Sequence, residues 1–112
     1  MKDIKVGIDT AIPCGLIINE LVSNSLKHAF PDGRKGNIEI EMKETDPGNF
    51  ILSVGDNGIG FPKDVDFRNT LSLGLQLIIT LSEQLDGEIE LLNGNGTKFV
   101  ITFREQDYAN RI

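Results

Sequence analysis

Asn19-Glu20-Leu21-Val22-Ser23-Asn24-Ser25-Leu26-Lys27-His28 places apolar residues at helical spacing among polar ones. At about 100° per residue, Ile18, Leu21, Val22, Ser25, Leu26 and Ala29 form one buried stripe, with Glu20, Asn24 and Lys27 opposite it. The helix predicted here runs from about Pro13, a residue suited to a first turn, to Phe30, and stops before the turn signal Pro31-Asp32-Gly33. Upstream, Lys2-Asp3-Ile4-Lys5-Val6-Gly7-Ile8 alternates as a short strand does.

Downstream, Asn37 to Lys43 alternates strictly and reads as a half-buried strand; Asp46-Pro47-Gly48-Asn49 turns the chain, and Phe50 to Val54 is the antiparallel partner. Continued alternation puts Asp56 on the face shared by Phe50, Leu52 and Val54, the expected core face. A carboxylate pointed inward needs a partner, because burying it unpaired is costly. Lys63 to Thr70 reads as a loop, and Leu71, Leu75, Ile78, Leu81 and Leu85 predict a second helix closed by Asp86-Gly87. Glu88 to Leu92 and Thr97 to Phe103, joined by Asn93-Gly94-Asn95-Gly96, predict a second hairpin. Helices alternating with pairs of adjacent strands imply an α+β fold, a two-layer α/β sandwich whose mixed, mostly antiparallel sheet is covered by helices on one face. The domain is expected to span 1–104, with a polar tail over 105–112, and the site is expected between the layers.

The 112 residues suffice for one small domain, and a net charge of −6 argues against non-specific nucleic-acid binding, which needs a basic surface. Apolar stretches end well short of the ~20 residues that cross a bilayer, and Met1-Lys2-Asp3-Ile4 lacks the apolar run of a signal peptide. No membrane insertion and a cytoplasmic location are therefore expected. Cys14, the single cysteine, has no partner for an internal disulfide and reads as a packing residue; no Cys/His cluster has metal-ligand spacing. An acidic protein that binds a polyanion must supply local positive potential, and Lys27, Arg34 and Lys35 lie near the first motif.

Several residue types suit ATP chemistry. A fixed carboxylate such as Asp56 accepts hydrogen bonds from the exocyclic amine of adenine, and Gly58 and Gly60 let the chain pass close to the ring. Asn24 offers an oxygen to Mg²⁺, Glu20 one turn earlier can polarise a water or an attacking group, and Lys27 can reach phosphate oxygens. His28, the one histidine, suits a helix C-terminus or a bound phosphate. An ordinary Asp-Asn-Gly turn and a solvated helix face account for the same local residues.

The segments together resemble the ATP-binding domain shared by sensor histidine kinases, gyrase, HSP90 and MutL, which implies a Bergerat-type fold. Asn19 to His28 looks like its N box, Asp56 to Pro62 like the first glycine box, Ser72 to Leu77 like the second, and Gly94-Asn95-Gly96-Thr97 like the closing Gly-Thr segment. Ala29 to Gly33 and the short loop between the glycine boxes look most like a histidine-kinase subgroup with a compact lid. The resemblance implies ATP and Mg²⁺ as cofactors, Asn24 as metal ligand, Glu20 as the catalytic group that assists the nucleophile, and Lys27 and His28 near the phosphates. It implies Asp56 as the adenine reader, Thr97 reaching the base through water, and Gly58, Ile59, Gly60, Leu73, Gly74 and Leu75 lining the nucleotide and the lid hinge. Two departures stand out: the second box keeps only Gly74, and Phe67 is a lone aromatic in the lid.

The helical hairpin that carries the phosphoacceptor histidine in such kinases is not among these residues. The implied activity is therefore transfer of the ATP γ-phosphoryl to a histidine on another domain or chain. The implied partners are a histidine-containing phosphoacceptor and dimerisation domain and, indirectly, a response regulator, with the isolated domain monomeric. The alternatives are a stand-alone serine/threonine kinase of the anti-sigma-factor type and a nucleotide-binding module without catalysis.

Overall fold

The computed structural model describes residues 5–33, 35–60 and 72–105. Helix α1 (Ile8–His28) and a single 3₁₀ turn (Pro31–Gly33) precede strands β1 (Ile38–Asp46) and β2 (Asn49–Asp56); α2 (Leu73–Gln84), β3 (Glu88–Gly94) and β4 (Gly96–Arg104) follow. The strands form one sheet in the order β1-β2-β4-β3, every pairing antiparallel. Each outer pair is a hairpin, and β2 lies beside β4 at the centre, where neither strand exposes an edge.

The period-2 pattern decides which face is covered. Phe50, Leu52 and Val54 of β2 stand opposite Phe103, Ile101 and Phe99 of β4, and all six are buried. The rings of Phe50 and Phe103 stack with centroids 5.5 Å apart. Onto this face α1 lays Cys14, Ile17 and Leu21, and α2 lays Leu75, Ile78, Leu81 and Leu85. The result is the two-layer α+β arrangement expected, with both helices on one side of the sheet.

The amino-terminal expectation fails. Met1 to Ile4 lie outside the described residues, Lys5 to Gly7 form no strand, and α1 already begins at Ile8. A contact invisible to local pattern fixes that start: the Gly7 N–H, at the N-cap position, donates to Glu105 Oε2 at 2.9 Å, 98 residues away. Glu105 in turn donates its N–H to the Gly48 carbonyl at 2.8 Å and is 4% exposed, so it belongs to the packed domain rather than to a polar tail. Gln106 to Ile112 lie outside the described residues. Pro13 sits in the second turn of α1, where it removes the N–H that would bond to the Asp9 carbonyl, instead of opening the helix.

Leu26, expected in the buried stripe, is 65% exposed. The stripe is set by Thr10, Cys14, Ile17 and Leu21, and five residues beyond Leu21 the helix has turned about 140° further.

Cys14 is a packing residue. Burial pushes its thiol from 9.0 up to about 11, and the nearby Glu105 carboxylate adds to the shift. Since the folded protein holds this proton more tightly than the unfolded chain, the stabilisation is complete below pH 9.0 and is lost as pH rises towards about 11. Melting curves of wild type should fall across that window more steeply than those of Cys14→Ala; parallel curves would contradict the buried-thiol assignment.

Candidate nucleotide site

The end of β2 nearest the helices carries Asp56, which leaves the strand pointing into the space between the layers. Its carboxylate is gripped on both oxygens. Oδ1 accepts the Gly58 N–H at 3.0 Å and the Thr97 N–H at 3.3 Å; Oδ2 accepts the Ser25 hydroxyl at 2.8 Å. A carboxylate has about four acceptor positions, so three are filled and one remains on the Ser25 side.

The backbone after Asp56 is held just as firmly. Asn57 extends the β1–β2 ladder by one step, donating its N–H to the Asn37 carbonyl at 3.3 Å and accepting the Asn37 N–H on Oδ1 at 2.7 Å. Ile59 donates its N–H to the Ala29 carbonyl at 3.0 Å, which ties the loop to the end of α1. Two glycines permit this closeness: a Cβ on Gly58 would overlap the Ala29 carbonyl oxygen, and one on Gly96 would overlap the Asp56 carbonyl. Gly96 also has φ +108°, a conformation side chains disfavour. Gly58→Ala should therefore push the loop off α1, lowering the melting temperature and weakening any ligand read by Asp56 by at least about tenfold. Unchanged stability in thermal unfolding would show that the loop gives way without cost.

Between the layers lies a cavity of about 440 Å³. Leu21, Asn24, Ser25, His28 and Ala29 line it from α1, Asp56, Ile59 and Gly60 from the β2 end, Ser72 and Leu75 from the start of α2, and Thr97 and Phe99 from β4. Its walls are therefore apolar at Leu21, Ile59, Leu75 and Phe99, with polar groups at a few positions, the usual make-up of a small-molecule site.

Of the residues singled out from sequence, Asn24, His28, Asp56, Ile59, Gly60, Leu75 and Thr97 meet around this cavity. Gly58 lies beneath it as a hydrogen-bond donor to Asp56. Glu20 and Gly74 meet each other: a Cβ on Gly74 would be 2.9 Å from Glu20 Oε2 and 3.7 Å from Asn24 Oδ1. Glu20 and Asn24 thus face the start of α2 instead of lying opposite the core. Lys27 is exposed and does not line the cavity, and Leu73 is 82% exposed, one position before Gly74 on the outer side of α2. Arg34, the loop from Lys63 to Thr70 with Phe67, and the end of the first glycine motif, Phe61-Pro62, lie outside the described residues.

Ser25 and Ser72 are site residues that sequence reasoning missed. Ser25 falls in the apolar stripe, yet a serine in such a stripe needs a polar partner as surely as the inward Asp56 does. Ser72 caps α2, its hydroxyl accepting the Leu75 N–H at 3.4 Å, so the positive end of the α2 dipole opens beside Asn24.

The profile of the family described as histidine kinase-, DNA gyrase B- and HSP90-like ATPases matches residues 10–107, which include all of these site residues. The chain belongs to this family. It is 30% identical over 98 residues to blue-light-activated histidine kinase 2 of Erythrobacter litoralis, a match covering 88% of this chain and 28% of that protein. To the sensor histidine kinase PdtaS of Mycobacterium tuberculosis it is 33% identical over 97 residues, covering 83% of this chain and 19% of the other. Among solved structures, the histidine kinase domain of the Erythrobacter litoralis EL346 blue-light-activated histidine kinase superposes with a TM-score of 0.86 at 27% identity, over 97% of this chain and 51% of that one. The chain spans under a third of the length of these two sequence relatives. Its fold is that of the ATP-binding catalytic domain of histidine kinases. No helix among the described residues is long and apolar enough to cross a membrane.

Proposed function

We propose that this domain binds Mg-ATP in the cavity between its layers and transfers the γ-phosphoryl group to a histidine of a phosphoacceptor and dimerisation domain, from which a response regulator takes it. The observation that carries the reading is the Asp56 carboxylate, fixed by three donors with one acceptor position left at the mouth of a ligand-sized cavity. In this reading the adenine amine bonds to Asp56, Thr97 contributes through water, and the ring lies against Leu21, Ile59, Leu75 and Phe99. The triphosphate then runs towards Asn24, His28 and the amino end of α2, where the helix dipole favours anions. Lys27, one turn from the cavity, adds charge at longer range.

Among the described residues no three His, Cys, Asp or Glu side chains converge as a metal cage. The donor set fits Mg²⁺ all the same, since that ion commonly takes one or two protein oxygens and fills its sphere with phosphates and waters. Asn24 would supply that oxygen, and the ion would neutralise charge on the phosphoryl oxygens. Glu20, within one turn of Asn24, would orient and polarise the incoming imidazole, so that the P–N bond forms as the P–O bond to ADP breaks. Most of the work is positioning and charge stabilisation. We assign this reaction to the cytoplasm, where ATP is supplied.

The test is to incubate the chain with γ-labelled Mg-ATP and a histidine-bearing acceptor domain. Acid-labile label on the acceptor is the expected result. Acid-stable label would favour the serine/threonine kinase alternative, and bound nucleotide with no transfer would favour a binding module.

A further inference from the structure

Ser25 lies in the last turns of α1, between buried Leu21 and Ala29, and its carbonyl accepts the Ala29 N–H at 2.9 Å, so its Cα is fixed by both packing and the helix ladder. Its hydroxyl is 2.8 Å from Asp56 Oδ2. An ionised carboxylate only accepts, so the proton in that bond comes from Ser25 and points at Asp56. A hydroxyl has one proton, and here it is spent. What Ser25 and Asp56 still offer the cavity is lone pairs: two on the serine oxygen and one position on Oδ2. The other carboxylate oxygen is turned away onto the N–H groups of Gly58 and Thr97.

We propose that Ser25 sets the base specificity of this site. By committing its single proton to Asp56 it makes that corner of the cavity an acceptor-only surface. Such a surface takes a purine carrying an exocyclic amine and rejects one carrying a carbonyl at the same position. The inference rests on the nucleotide reading above and goes beyond it: Asp56 alone accepts a hydrogen bond, whereas the Ser25–Asp56 pair excludes the wrong base. If Ser25 is cut back to alanine, a water can fill the place of the hydroxyl. A water carries two protons, one for Oδ2 and one for the base, so it can satisfy a carbonyl that the serine cannot. Truncation therefore relaxes selectivity more than it weakens the preferred ligand.

The experiment compares ATP with inosine triphosphate, which has the same phosphates and ribose and a carbonyl where adenine has its amine. Dissociation constants with Mg²⁺ are measured by calorimetry for wild type, Ser25→Ala and Ser25→Thr. Wild type should prefer ATP by about a hundredfold, Ser25→Ala should lose about tenfold of that preference, and Ser25→Thr, which keeps a hydroxyl, should retain it. A purely structural role, in which Ser25 only fastens β2 to α1, would lower the melting temperature and weaken both nucleotides equally. An unchanged ratio in Ser25→Ala, or a ratio in Ser25→Thr narrowed as far as in Ser25→Ala, would overturn the inference while ATP binding by wild type kept the nucleotide reading intact. Failure of wild type to bind ATP would instead remove the nucleotide reading and this inference with it.

Discussion

Asp56→Asn should cost at least about a hundredfold in ATP affinity while leaving the fold intact, and the local geometry explains why so small a change does so much. The Gly58 and Thr97 N–H groups require an acceptor at the Oδ1 position. An asparagine obeys them by placing its oxygen there, which puts its NH₂ group on the Ser25 side. The one open position at the cavity mouth then changes from acceptor to donor, and the adenine amine meets another donor. The backbone N–H groups stay satisfied, so thermal unfolding without nucleotide should be close to wild type. Calorimetric titration with Mg-ATP reads the result directly. Unchanged affinity would sink the assignment of Asp56 to the base, whatever else the domain binds.

Asn24→Ala should separate binding from chemistry. Asn24 lines the cavity beside the start of α2, and in the proposed reading its amide oxygen is the one offered to Mg²⁺. With the base still held at Asp56, nucleotide affinity should stay within about tenfold of wild type. Phosphoryl transfer to an acceptor histidine should fall by about a hundredfold or more, because charge neutralisation on the transferring group is where catalysis of this reaction chiefly resides. Single-turnover transfer at saturating Mg-ATP separates the two effects. Transfer at the wild-type rate in the variant would refute the metal role of Asn24.

Much of this architecture is legible without coordinates. The strict alternation of residues 37–43 and the inward set Phe50, Leu52 and Val54 mark two strands and their faces, and they correctly place Asp56 on the covered side. Helical spacing from Leu75 to Leu85 locates α2. What escapes local reading is what depends on distant partners. The start of α1 is set by Glu105 near the other end of the domain, so alternation over Lys2 to Ile8 is no guide there. The azimuth of α1 is set by Cys14 and Ile17 as much as by Leu21, which turns Leu26 out and brings Glu20 and Asn24 against α2. A helical wheel centred on the motif alone is displaced by a fraction of a turn, and that fraction decides which polar residues see the cavity. Ser25 illustrates the same limit: its spacing marks it as inward-facing, but its purpose emerges only when the sheet brings Asp56 to within 2.8 Å.

The central claim is that the cavity between the layers is an ATP site. Thermal unfolding of the wild-type chain with and without Mg-ATP tests it most directly. At a nucleotide concentration about 100 times the dissociation constant, binding to the folded state adds about 2.7 kcal/mol, which for a domain of this size raises the melting temperature by roughly 10 °C or more. The account predicts that rise in wild type and its disappearance in Asp56→Asn. A melting temperature unmoved by millimolar Mg-ATP in wild type, or a rise that persists in full in Asp56→Asn, would contradict it.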